Sequence, residues 1–262
     1  FDSGYAISMT DLLFFILHFL LYPASNGYNS YFDRDESSIG GLRQPPPVSR
    51  ELYWASLTLD LLAIILGFII SWQFSVMLLV YGLVSKAYSH PKIRIKRYPW
   101  LSWLVAGFFQ GCFTFIMTVM GVQETNFHQG MALQLYLAAC LSSLMLWGSY
   151  PMTQIYQHQE DRQRGDITLS QKLGILGTFH FTAALFLVAS SGFFVYFCRY
   201  FNLTQGILFL GCMVPVVFYF GFWYLKVRQN PDAADFDHTM KLNLISSLCL
   251  SICFVALYVL NH

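Results

Sequence analysis

Charge is scarce in this chain: Asp, Glu, Lys and Arg make up 11% of 262 residues, against roughly a quarter in a soluble domain. That composition excludes an ordinary water-facing surface, and the net charge of +1 gives no basis for a nucleic-acid partner. Strand alternation is missing, so neither a half-buried sheet nor a membrane barrel is indicated. The six cysteines include no CxxC pair and no His/Cys spacing suited to zinc; they read as packing thiols. No basic stretch with a cleavage site precedes the first apolar segment. No separate soluble domain has room to exist, so residues 1–262 read as one domain.

What fills the chain instead is hydrophobic: 56% of all residues, including 25 Phe, 16 Tyr and 6 Trp. Eight apolar stretches are centred near 5–28, 52–71, 74–90, 100–121, 130–156, 173–197, 203–225 and 239–260. Most approach the ~20 residues that cross a hydrocarbon core as a helix, and a helix satisfies its own backbone there. The expectation is an all-α integral membrane protein, a multi-helix bundle with eight spanning helices, the 74–90 segment being the shortest. Alternation of the loops puts 14 of the 15 Lys and Arg on one face, with Arg199 opposite, and the positive-inside rule makes that face cytoplasmic.

A repeat organises the bundle. YPASNGYNSYFDRD at 22–35 recurs as YPMTQIYQHQEDR at 150–162 with an offset of 128. Tyr22, Pro23, Tyr28, Asp33 and Arg34 match Tyr150, Pro151, Tyr156, Asp161 and Arg162, while Ser25, Asn26 and Asn29 match Thr153, Gln154 and Gln157. Four crossings separate the two copies, so both belong to the cytoplasmic face and the repeats, about 1–128 and 129–262, are parallel. Two copies then supply two walls of one site around a central cavity. The segment 100–121 precedes the second motif, and its counterpart falls before Phe1, so a ninth, first helix is expected but missing.

The motifs define a chemistry. On a continuous helix Asn26, Asn29 and Asp33 share one face, and Gln154, Gln157 and Asp161 repeat that spacing. A carboxylate beside amide oxygens suits a hard cation such as Mg²⁺, which bridges to substrate phosphate oxygens. The candidate metal set is Asn29, Asp33, Asp35, Gln157, Glu160, Asp161 and Asp166, with Glu36 close by. The bland alternative is that charges collect where helices leave a bilayer; the matched amides, which a simple exit does not need, weigh against it. Between two apolar segments lies KAYSHPKIRIKRYPW, residues 86–100, the densest basic run. It reads both as a headgroup-binding, topology-setting loop and as a lid over phosphate. The candidate diphosphate ligands are Asn29, Arg43, Lys86, Tyr88, Lys92, Arg94, Gln157 and Arg162, with Tyr88 and Lys92 preferred to Arg97.

Taken together, NSYFDRDESSIGGLRQPP, the YSHPKIRIKRYP loop and YQHQEDRQRGDITLSQKLG resemble the first Asp-rich motif, basic cytoplasmic loop and second Asp-rich motif of UbiA-type intramembrane prenyltransferases. The order and spacing match over nearly the whole chain. The resemblance implies nine transmembrane helices around a central cavity, a Mg²⁺-bound isoprenyl diphosphate, and transfer of the prenyl group to an aromatic or other lipophilic acceptor in the membrane. Two departures stand out. The family's NxxxDxxxD ends here in Ser37, and its DxxxDxxxD has Gln157 and Gly165 at the outer positions. Asp33 and Asp161 alone keep register.

Mechanistically, fixed charges stabilise the leaving diphosphate, the allylic C–O bond ionises, and aromatic walls shield the cation from water. Asp33, Asp161 and Asp60 are the catalytic candidates. Asp60 lies roughly 13 Å inside its helix at 1.5 Å per residue, where an ionisable group needs a polar partner; an acceptor-side base and a helix-packing role are equally open. His18 and His180 read as satisfied interior histidines. A membrane terpene cyclase, using the same ionisation without an acceptor, and a repeat-built transporter are the rival readings.

Overall fold

The computed structural model describes residues 8–34, 38, 40–123 and 132–261; Asp35, Glu36 and Ser37 lie outside them. The regular structure is helical, as expected. In chain order the helices are α1 (Met9–Phe15), α2 (Tyr22–Asp33), α3 (Arg50–Ile70), α4 (Trp72–Ser89), α5 (Pro99–Gly107), α6 (Thr114–Gln123), α7 (Leu133–Ser149), α8 (His158–Arg164), α9 (Leu169–Tyr200), α10 (Leu203–Gln229) and α11 (Phe236–Asn261). π-Helical turns at Ile16–Leu21 and Phe108–Phe113 link α1 to α2 and α5 to α6.

Among the described residues, five runs are long and apolar enough to cross a membrane: Arg50–Ile70, Pro99–Gln123, Leu169–Tyr200, Leu203–Gln229 and Phe236–Leu260. Three further helical runs, 9–33, 72–89 and 133–149, coincide with the remaining apolar stretches. Large apolar side chains such as Leu187, 70% exposed, and Phe218, 75% exposed, point outward, which water would penalise and lipid accommodates.

The chain forms two compact units. The first comprises Phe1–Glu36, Pro45–Lys96 and Phe113–Ala132, the second Ser37–Gln44, Arg97–Cys112 and Leu133–His262. In the first unit, α2, α3 and α4 pack together, with α6 against α1 and α4, around the fully buried Ile16, Ala24, Phe74, Leu78 and Met117. Ser71 makes the α3–α4 corner: it ends α3 and its hydroxyl accepts from the Phe74 N–H at 3.1 Å, an N-cap.

In the second unit, α9 packs against α7 and α10, and α10 against α11. Phe179, Trp223, Met152, Val216 and Val227 form one core and Phe193, Phe209 and Cys253 another. Ser143 of α7 explains how the π-turn of the α5 run is tolerated. Its hydroxyl donates to the Gly107 carbonyl at 2.9 Å and accepts from the Cys112 N–H at 2.8 Å, satisfying backbone groups that lipid would leave stranded.

Candidate functional site

In the first unit, α2 carries its motif as a continuous helix that ends at Asp33, closed by Arg34 in the left-handed conformation at φ 49°. A buried carboxylate at a helix C-terminus meets the negative end of the backbone dipole, so it requires cations. The basic loop supplies them: Lys96 pairs directly with Asp33, and the Arg94 guanidinium lies 3.8 Å away. Both reach it through the turn after α4, where the Ile93 and Arg94 N–H groups donate to the His90 carbonyl at 3.0 and 2.8 Å. Arg94 then adopts φ 45°, and a 3-10 turn follows at Ile95–Arg97. Asn29 is held one turn before Asp33, its amide oxygen accepting from Ser89 Oγ at 2.6 Å.

The other candidates of this unit separate into two groups. Lys86 pairs with Asp60 of α3, both largely buried, and its ammonium sits over the Tyr28 ring at 5.1 Å. Asp60 is therefore charge-compensated across the α3–α4 contact, and Lys86 is directed at Asp60. Tyr88 is half-buried, whereas Lys92 is exposed and its backbone N–H donates to His90 Nδ1 at 3.3 Å. Lys96, absent from the expected ligands, is the residue missed here; sequence proximity could not show that the chain turns twice between His90 and Arg97.

The second unit departs from the repeat. The expected continuous stripe Gln154–Gln157–Asp161 is not formed: residues Tyr150–Gln154 make a 3-10 turn, Gln157 is non-helical at φ −100°, ψ 6°, and α8 starts afresh at His158. Tertiary partners take the amides. Gln154 Oε1 accepts from the Ser170 N–H at 3.4 Å, and Gln157 Nε2 donates to the Ser38 carbonyl at 3.3 Å. Asp161 consequently occupies the first turn of α8, with Arg164 3.5 Å from it and 3.7 Å from Glu160.

Gly165, left-handed at φ 75°, closes α8 in a Schellman motif. Its N–H donates to the Arg162 carbonyl at 3.1 Å, and the Asp166 N–H to the Asp161 carbonyl at 2.9 Å. In this motif the side chains of the two residues joined by the longer bond commonly meet, ordinarily as a hydrophobic pair. Here both are aspartates, Asp161 and Asp166, and both are buried. Asp166 is out of helical register with Asp161, yet the turn ties it to Asp161; the RGD stretch with Gly after a basic last turn was the available signal.

Arg162 is exposed. Arg43 pairs with Asp237 at the start of α11, with both side chains exposed. Of the histidines expected to be interior, His180 bonds the Tyr224 hydroxyl through Nε2 at 2.9 Å and His18 packs against Phe14 and Tyr22, but both residues are exposed. His158 is held below its ordinary pKa by burial and, second, by the charge of Arg162.

The donors that both motifs offer, carboxylates and amide carbonyls, are hard oxygens. Among the described residues no three His, Cys, Asp or Glu converge as a metal cage. Mg²⁺ does not need one, since it usually takes one or two carboxylates, waters and substrate phosphate oxygens. The residues fit that ion.

A match to the UbiA prenyltransferase family model extends over residues 4–245. The chain belongs to the UbiA prenyltransferase family. It is a prenyltransferase and a multi-pass integral membrane protein, which removes the transporter reading. A structure solved for digeranylgeranylglyceryl phosphate synthase in membranes is similar in fold, with a TM-score of 0.59 and 19% sequence identity over 97% of this chain and 88% of that one. No curated protein matches the sequence.

Proposed function

We propose that this UbiA-family enzyme transfers an isoprenyl group from an allylic diphosphate to a lipophilic acceptor within the membrane, with Mg²⁺ and with the diphosphate handled at the cytoplasmic face. The observation that carries the reading is the pair of motif carboxylates. Asp33 and Asp161 are each buried and each already countered by cations, Asp33 by Lys96 and Arg94, Asp161 by Arg164. Burial of matched acids beside bases is the arrangement that strengthens charge interactions with a diphosphate.

Asp33 with Asn29 in the first unit, and Asp161 with Gln157, Glu160 and Asp166 in the second, are the oxygen donors that would hold Mg²⁺, which supplies positive charge to the leaving diphosphate. Lys96, Arg94 and Arg164 add fixed positive charge beside the same carboxylates. The allylic C–O bond breaks with its electron pair leaving on the diphosphate; an electron pair of the acceptor forms the new bond, and the acceptor releases a proton. Phe and Tyr rings near the motif, including Tyr28, Tyr31, Phe32 and Tyr53 in mutual contact, offer π faces that tolerate a cation and exclude water. The cytoplasmic face is supported by the distribution of Lys and Arg. Likeness at 19% identity carries fold alone, so the acceptor is assigned by class.

The test is incubation of the purified protein with allylic diphosphates of graded chain length, a lipophilic acceptor and Mg²⁺, followed by lipid product analysis and diphosphate assay. A prenylated acceptor with stoichiometric diphosphate is expected. A cyclised hydrocarbon formed without acceptor, or diphosphate release undiminished by chelation, would overturn the reading.

A further inference from the structure

Helix α8, which carries Asp161, is seven residues long, too short to hold itself together in isolation. It starts from a non-helical residue and ends at a left-handed glycine, so its position must come from what its ends touch. Its C-terminal end is closed by the Schellman turn. Its first residue, His158, is tied twice to the start of α9: the imidazole Nε2 to Ser170 Oγ at 2.8 Å, and the carbonyl to Gln171 Nε2 at 3.2 Å.

The direction of the first bond follows from counting protons. Thr178 Oγ1 lies 2.8 Å from the Gly174 carbonyl and 3.3 Å from the Ser170 carbonyl; both accept and cannot donate, so the Thr178 hydroxyl proton is committed to a carbonyl, the nearer being that of Gly174. The 3.0 Å contact between Ser170 Oγ and Thr178 Oγ1 then takes the Ser170 proton. Ser170 Oγ is left as an acceptor toward His158, and Nε2 must bear the hydrogen. A relay results, from His158 Nε2–H to Ser170, to Thr178, to the Gly174 carbonyl. Ser170 and Thr178 are fully buried, so water does not replace a lost partner. The relay also depends on Gly174, whose φ of 70° and ψ of 170° fall in a region essentially reserved for glycine; the backbone break there offsets the first turn of α9, which bears Ser170 and Gln171, from the helix that bears Thr178.

We propose that His158 is a positioning residue for prenyl transfer: by donating into the Ser170–Thr178–Gly174 relay it fixes the first turn of α8 and thereby the Asp161 carboxylate. This rests on the assignment of Asp161 to the diphosphate–metal site, and the experiment separates the two.

Hydrogen–deuterium exchange of the full chain in detergent, without metal, reads the amides of residues 158–166. His158→Leu is expected to speed their exchange about tenfold, the population shift from losing one buried hydrogen bond, with the α7 amides unchanged. Ser170→Ala should do the same, and the double variant should add nothing further, since both break one relay. His158→Gln, whose amide also donates, should restore exchange to near the parent rate. In turnover, His158→Leu should lower kcat about tenfold with KM for the allylic diphosphate little changed, and raise the Mn²⁺ concentration giving half-maximal binding by a similar factor. Unchanged exchange in His158→Leu would overturn the proposal, as would faster exchange with parental kcat. Full turnover in Asp161→Asn would instead overturn the site assignment, whatever the exchange shows.

Discussion

The two copies of the YP…D motif start from matched residues and arrive at different positions in their helices. In the first, twelve residues wind without interruption and Asp33 is the last of them; in the second, a 3-10 turn and the non-helical Gln157 intervene, and Asp161 sits in the opening turn of α8. A carboxylate at a helix end and one at a helix start face backbone charge of opposite sign. That difference accounts for their partners. Asp33 is countered by Lys96 and Arg94 from a separate loop, whereas Asp161 has a local Arg164 within its own short helix. Equal sequence motifs therefore impose unequal demands on the rest of the chain.

The largest effect expected is on turnover, and there the copies should behave alike. Asp33→Asn and Asp161→Asn should each lower kcat by about 100-fold or more, the scale of removing one electrostatic contributor to a transition state, with the protein still monodisperse in detergent. Loss confined to one copy would break the parallel between them.

Stability should then set the copies apart. Lys96→Met takes the directly paired cation from a buried carboxylate at a helix C-terminus and leaves Arg94 3.8 Å away, so the loss should fall toward the lower end of the about 3–5 kcal/mol for breaking a buried pair. Arg164→Met should cost about 1–2 kcal/mol, because the helix start still favours the Asp161 charge. Thermal unfolding followed by size-exclusion in detergent reads both, and equal losses would refute the account by helix ends. Asp33→Asn combined with Lys96→Met should recover most of the Lys96→Met loss, since the buried charge that Lys96 countered is gone.

The smallest effects lie in the caps. Arg34 and Gly165 both end a helix in the left-handed region, which disfavours a Cβ by about 1–2 kcal/mol. Arg34→Gly should therefore stabilise by about 0.5–1 kcal/mol, and Gly165→Ala destabilise by about 1–2 kcal/mol. A Cβ at Gly165 meets nothing within 4 Å, so that loss measures backbone strain alone. In the same scan, Gly165→Ala should also lower kcat, because Asp166 is tied to Asp161 through that turn.

Where the sequence was legible, one strong local signal was enough. Apolar runs set the helices, and the correspondence of Asp33 to Asp161 in the repeat is visible in the offset alone. What escaped it depended on partners distant in sequence. Gln154 and Gln157 look like copies of Asn26 and Asn29, but Ser170 and Ser38 draw their amides into backbone contacts, and the helix breaks there. Lys96 is one of several bases in a run; two successive tight turns, not composition, bring it to Asp33 while leaving Lys92 exposed. His158 carries no periodic or motif signal, and its relay exists because Gly174 bends α9 at one residue.

Asp60 and Lys86 carry a consequence for how the protein is made. Each is an ionisable side chain in an apolar helix: Asp60, midway along α3, taken singly disfavours entry of its helix into the bilayer by about 2.5–3.5 kcal/mol on insertion scales, and Lys86 lies in the last turn of α4. The helices are joined by the single residue Ser71, and the two charges pair across the hairpin. Partitioned together, α3 and α4 hold the two charges as a neutral pair and leave no lone charge among the acyl chains. The 40-residue hairpin Arg50–Ser89 therefore carries both charges of the pair, and a ribosome that has released α3 alone has not yet delivered its counter-ion.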